Sequence, residues 1–143
     1  FRDFKNIFPD DDFCYKYLSR LKWKSDQPYY CKKCSFELQP GHESINVRCG
    51  RCGYLESVTY GTLYQGLRFP ILKAFYITYR TSTALNDSMT LSSLAEEIEL
   101  RLATLSVFRQ KVILLIEENK AKKKHRDGWT HLVEYSMVRG QEK

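Results

Sequence analysis

The 143-residue chain is expected to adopt an α+β fold on three observations: two matched Cys-x-x-Cys pairs set among short β-like runs, apolar stripes of helical period on either side of them, and a three-residue break between two of those stripes. Hydrophobic residues make up 43% and aromatics 14%, so most of the chain should pack. No apolar run approaches the roughly 18 residues of a membrane-spanning helix, and the N-terminus lacks the basic-then-apolar plan of a signal peptide. A cytoplasmic protein is expected. Lys and Arg number 23 against 17 Asp and Glu, a net charge of +6 that favours polyanionic partners. The bases are concentrated. Lys16, Arg20, Lys22, Lys24, Lys32, Lys33, Arg48 and Arg51 face only three acids between residues 14 and 54, and residues 120–126 hold five bases and no acid.

The expected organisation is a helical segment at 1–27, a cysteine-rich unit at 28–62, a helical unit with a basic extension at 66–126, and a C-terminal segment at 127–143 of unassigned role. In the first segment Phe13, Cys14, Tyr17, Leu18 and Leu21 fall on one helical face, and Asp10-Asp11-Asp12 suits the positive end of that helix's dipole. A carboxylate triplet also suggests a divalent-metal site, but a cap with a solvated first turn explains it more simply. Cys14 reads as a small core residue.

The cysteines carry the sharpest signal. Cys31-Lys32-Lys33-Cys34 and Cys49-Gly50-Arg51-Cys52 are separated by fourteen residues, 35–48. Two thiolates on each tight turn can reach one ion, and two facing turns form a tetrahedral S4 cage suited to a single structural Zn²⁺. Paired disulfides would need an oxidising compartment, which nothing here indicates. A redox Cys-x-x-Cys would need a βαβ context rather than a matched pair. His42 sits in the turn Gln39-Pro40-Gly41-His42, and four cysteines already fill the coordination shell. Phe36–Leu38, Ile45–Arg48 and Tyr54–Tyr60 alternate or carry β-branched residues, so a small three-stranded zinc ribbon is expected. Its core is tiny, and the metal must supply much of its stability.

Phe69 to Arg80 begins a helix with Pro70 near its first position and so few charges that it should be central and buried. Leu85-Asn86-Asp87-Ser88 is a loop. Thr90 is a candidate N-cap for the stripe Leu91, Leu94, Ala95 and Ile98, and a second stripe follows at Leu102, Leu105, Phe108, Val112, Leu115 and Ile116. Two helices around Glu99-Leu100-Arg101 read as a helix-turn-helix, with Glu99 where glycine is usual. Lys120 to Arg126 extends the second helix, and Trp129 to Val138 is a short apolar and aromatic element, a strand or a docking segment.

This order of elements, the segment Ser57-Val58-Thr59-Tyr60-Gly61-Thr62-Leu63, Pro70-Ile71-Leu72, and the Leu94-Ala95 helix-turn-helix with Thr104 together resemble one family. It is the N-terminal DNA-binding region of bacterial insertion-sequence transposases that carry a zinc ribbon ahead of a DDE-type nuclease. The likeness covers roughly residues 4–118. It implies zinc ligation by Cys31, Cys34, Cys49 and Cys52 and DNA reading by the helix from Arg101. The family's nuclease binds divalent metal through three carboxylates, whereas the residues after 118 offer only Asp127, Glu134 and Glu142. The chain is then a piece of a longer protein or a free-standing binding half, and no catalysis is expected of it.

Duplex DNA is therefore the expected partner. Arg101, Ser106 and Gln110 would meet base edges, while Leu102, Ala103 and Val107 could only meet thymine methyls. Arg48, Arg51, Arg109, Lys111, Lys122, Lys123, Lys124 and Arg126 would contact phosphates. The competing expectation is a protein-interaction scaffold within a larger nucleic-acid-handling assembly. RNA stacking on Tyr29, Tyr30 and Tyr54, and an enzyme acting only as one chain of a complex, are further alternatives.

Overall fold

A computed structural model describes residues 1–24, 26–41, 43–83, 90–122 and 128–141. The architecture is α+β, with five α-helices and two antiparallel two-stranded sheets among the described residues. A short 3-10 turn at Phe4–Asn6 leads into α1 (Asp11–Lys22). The cysteine-rich unit contains β1 (Tyr29–Tyr30), β2 (Glu37–Leu38), β3 (Asn46–Arg48) and β4 (Leu55–Ser57). Four helices follow: α2 (Ile71–Thr83), α3 (Leu91–Ile98), α4 (Leu102–Ala121) and α5 (Trp129–Gln141).

Each aspartate of the acidic triplet has a structural task. Asp10 caps its own helix, accepting from the Phe13 N–H at 2.9 Å. Asp11 accepts from the Leu72 N–H at 2.9 Å and so caps α2 in trans. Asp12 pairs with Lys16 one turn on, at 3.0 Å. Asp10 is the expected cap, while Asp11, half-buried against α2, departs from the solvated first turn expected of it. Cys14 is fully buried, and burial pushes its thiol up to about 12, with Asp11 and Asp10 adding to the shift.

The expected central helix is α2. Ile71, Leu72, Ala74, Phe75, Tyr76, Ile77, Thr78 and Thr81 are all buried on it, and Tyr64 seals its side by a hydrogen bond with Thr78 at 2.9 Å. α1, α4 and α5 pack around α2, and α3 packs on α4. Trp129–Gln141 forms a helix that packs on α1, α2 and α4, which corrects the strand expected there as one alternative and agrees with the other, a docking segment. Trp129 stacks edge-on with Phe8 and Phe75 and lies against Phe4 and Tyr79, with ring centroids 5.2–5.9 Å apart. Leu132, Val133 and Ser136 continue that contact at the 3–4 spacing of one helical face. The run is short and aromatic, so its period is ambiguous in isolation, and the receiving aromatic shelf decides it.

The single three-stranded sheet expected for the ribbon is replaced by two hairpins. β1 pairs with β2 (Tyr29↔Leu38, Tyr30↔Glu37), and β3 pairs with β4 (Asn46↔Ser57, Val47↔Glu56, Arg48↔Leu55). The missed strand is β1. Two residues give no alternation to read, and its identity depends on the partner that the cysteine turn folds back onto it. The loop at 85–88 and His42 lie outside the described residues. No helix among the described residues is long and apolar enough to cross a membrane.

Candidate metal centre and flanking helical face

Each cysteine pair forms the turn of one hairpin, and the two turns repeat the same bonds. The Cys31 N–H donates to the Phe36 carbonyl at 2.8 Å and the Cys49 N–H to the Tyr54 carbonyl at 2.8 Å. The Ser35 N–H donates to the Cys31 carbonyl and the Gly53 N–H to the Cys49 carbonyl, both at 2.9 Å. Residues Ser35 (φ 64°) and Gly53 (φ 79°) occupy the same left-handed position, one past the second cysteine. Glycine suits it, while serine adopts it at a cost of about 1 kcal/mol.

The two turns face each other and bring four sulfurs together. All four Sγ atoms, of Cys31, Cys34, Cys49 and Cys52, lie within 4.8 Å of one another. Cys31 and Cys52 are 3.6 Å apart, as are Cys34 and Cys49. Four thiolates around an ion at about 2.3 Å form a tetrahedron with edges of about 3.8 Å. A disulfide would need sulfurs at about 2.05 Å, and all five cysteines are free. The four residues therefore fit a structural metal site. Backbone N–H groups aim at the sulfurs, with Lys33 donating to Cys31 at 3.4 Å and Cys52 to Cys49 at 3.5 Å. The Cys52 N–H, helped by Arg51, pulls the Cys49 thiol down to about 6 against the opposing effect of desolvation. At Cys34 the Phe36 N–H favours the thiolate, but desolvation and the sulfurs of Cys52, Cys49 and Cys31 outweigh it and raise that thiol. Among the described residues no other group of three or more His, Cys, Asp or Glu side chains is placed to hold a metal.

The ribbon's cations have internal partners. Arg48 donates to the Gly53 carbonyl at 3.0 Å, bracing the second cysteine turn. Arg51 lies over the Phe36 ring at 5.9 Å, so the second turn touches the flank of the first. Both arginines remain exposed. Of the three tyrosines with a possible stacking role, Tyr29 is buried, Tyr54 is half-buried and Tyr30 is half exposed.

The attachment of the ribbon to the helices escaped sequence reasoning. Lys22, the last residue of α1, and Glu56, in the middle of β4, form an ion pair at 2.9 Å with side chains 3% and 1% exposed. Lys22 also donates to the carbonyls of Ser57 (3.1 Å) and Tyr60 (2.7 Å), and the Tyr29 hydroxyl donates to Glu56. Burial pushes the Lys22 ammonium below its ordinary pKa, and Glu56 opposes that shift. The sequence carries no sign of this attachment, because the inversion shows only in the folded strand. Along β4 the pattern is inverted, with Leu55 outside and Glu56 inside. The turn at 57–62 that receives Lys22 is itself stitched by Thr62 to Thr59 at 2.7 Å and by Ser57 to Thr59 at 3.1 Å.

The second site residue cluster lies on α3, the 99–101 turn and α4. Thr90 caps α3 by accepting from the Ser93 N–H at 3.1 Å. Leu94, Ala95, Ile98, Leu105 and Phe108 are buried between the helices, as expected of their stripes. Glu99 is left-handed (φ 54°, ψ 54°), and the Leu100 N–H closes back on the Ala95 carbonyl at 3.0 Å. This is the six-residue closure that glycine usually serves. Replacing Glu99 with Gly should therefore stabilise the chain by about 0.5–1 kcal/mol, read as a higher denaturant midpoint. An unchanged or lower midpoint would contradict the strain argument.

On α4, Leu102, Ala103, Ser106, Val107, Gln110 and Lys111 are exposed, along with Arg101 just before the helix. Arg109 is partly buried, and its Nε has no hydrogen-bond partner. α4 ends at Ala121, with Lys122 exposed beyond it. Lys123, Lys124 and Arg126 lie outside the described residues. No family model, curated protein or solved structure matches this chain.

Proposed function

We propose that the chain is a duplex-DNA-binding module in which a zinc ribbon stands beside a helix-turn-helix, as in the DNA-binding region that heads insertion-sequence transposases. The supporting observation is the arrangement of α3, the left-handed Glu99 turn and α4, whose N-terminal half presents one exposed face while its other face is core. A second helix held in this way lies in the major groove with its first turns against base edges. Arg101 would bond guanine and Gln110 adenine, with Ser106 between them. Arg109, Lys111, Lys122, Lys123, Lys124 and Arg126 would neutralise phosphates, joined by Arg48 and Arg51 of the ribbon. Zn²⁺ is the ion whose coordination preferences suit four thiolates without redox chemistry, and here its role is structural. The chain acts by binding and not by catalysis. Of its late carboxylates, Glu134 is engaged by Lys24 at 3.1 Å.

Six to eight phosphate contacts predict that affinity for duplex DNA falls steeply with salt, with a log–log slope of about −5 to −7. Gel-shift titrations of the zinc-loaded chain at several salt concentrations measure this directly. The variant Arg101→Ala/Lys122→Ala/Lys123→Ala/Lys124→Ala should flatten the slope by about 3, the share of its three phosphate-contacting lysines. Salt-insensitive or absent retention on duplex DNA, together with a stable protein partner, would favour the scaffold reading.

A further inference from the structure

We propose that the α4 face selects its target by thymine methyl groups, so that the preferred site is a short thymine-rich stretch read in the major groove. The inference rests on the duplex-binding reading above. Leu102 is 48% exposed and Val107 63% exposed, and Ala103 lies exposed beside them. With 3.6 residues per turn, Leu102, Ala103 and Val107 fall within an arc of about 140° that also holds Ser106 and Gln110, so all five share one broad face of α4. From Leu102 to Gln110 that side is about 12 Å long, the rise of three to four base pairs.

The charge around this stripe argues for nucleic acid as its occupant. Between residues 100 and 116 the chain carries Arg101, Arg109 and Lys111 and no acid, and the acids of α4 begin only at Glu117. An apolar face that carries cations and has carboxylates only beyond its two ends, at Glu99 and Glu117, suits an anionic partner with apolar groups exposed in a groove. In duplex DNA the C5-methyl of thymine is the group that offers apolar contact to such side chains, and it projects only into the major groove. Arg101, Ser106 and Gln110 are the polar side chains that alternate with the stripe, so hydrogen-bond readout is confined to few positions. Hydrophobic contact must then carry much of the discrimination.

The magnitude follows from burial. A methyl taken out of water contributes about a factor of 4, so two or three thymines contribute roughly 15- to 60-fold. The test selects binders from a randomised duplex pool with the zinc-loaded full chain. The recovered sequence is then synthesised with deoxythymidine or with deoxyuridine, which differ only by this methyl. Enrichment of adjacent thymines and a 15- to 60-fold weaker deoxyuridine duplex are expected. Leu102→Ala and Val107→Ala should shrink that ratio toward 1 while the salt slope stays the same. Equal binding of the two duplexes, or salt-dependent binding with no sequence enrichment, overturns methyl reading and leaves duplex binding standing. Absence of duplex retention at low salt overturns the duplex reading itself. A loss of protein–protein association in the two variants, with the deoxyuridine ratio unmoved, assigns the stripe to a protein partner and overturns the proposal.

Discussion

Removing the metal should cost the chain its ribbon while leaving the helical body folded. The hairpins β1–β2 and β3–β4 bury few side chains of their own, chiefly Tyr29, Leu38, Val47 and Glu56 beside Cys31 and Cys49. Two strands of two or three residues are not stable alone in water. The four sulfurs are therefore the ribbon's core, and a structural tetrathiolate ion typically supplies an apparent 10–16 kcal/mol to such a unit at neutral pH. The helices have a separate source of stability in the aromatic cluster of Phe4, Phe8, Phe75 and Trp129 and the packing of α2. Native mass spectrometry should find one Zn²⁺ per chain. A strong chelator should abolish amide protection across residues 29–57 and preserve it in α2 and α4. Cys49→Ser should release the ion, whereas Cys14→Ser should keep it, since Cys14 is buried in the helical core with a thiol held protonated. A metal-free chain with an ordered ribbon would defeat the account.

The second large effect concerns the seam between ribbon and helices. Lys22 and Glu56 are each almost wholly shielded from water, and one Glu56 oxygen, Oε1, has no hydrogen-bond partner. A buried pair of this kind gains little net stability over apolar replacements, but breaking it strands a charge. Lys22→Met and Glu56→Gln should each cost about 3–5 kcal/mol, with melting temperatures lower by roughly 10–15 °C. Lys22→Met would also leave the Ser57 and Tyr60 carbonyls without their donor. The double variant Lys22→Met/Glu56→Leu should recover a substantial part of the loss, because no uncompensated charge remains. Single-variant losses below about 1 kcal/mol, or strict additivity in the double variant, would show that the pair is hydrated and unimportant.

These two predictions differ in how far the sequence anticipates them. Local chemistry announces itself. The Cys-x-x-Cys spacing specifies two tight turns with sulfurs on the inside, whatever surrounds them. Asp10 and Thr90 precede apolar stripes and cap them. Glu99 stands at a turn that needs a left-handed residue, and it is left-handed. In each case the determining contacts lie within a few residues along the chain.

The amino-acid sequence by itself determined the four-sulfur cluster, the buried apolar stripes of α1, α3 and α4, and the burial of α2, because periodicity and turn chemistry act over short stretches. Only the tertiary structure decided that the ribbon is two hairpins, that Asp11 caps a helix sixty-one residues away, that Trp129 begins a helix, and that Lys22 reaches Glu56. Each of those outcomes depends on a partner remote in sequence, with no local pattern to mark it. A two-residue strand exists only through its neighbour, and a buried charge is tolerable only where the opposite charge is delivered to it by the fold.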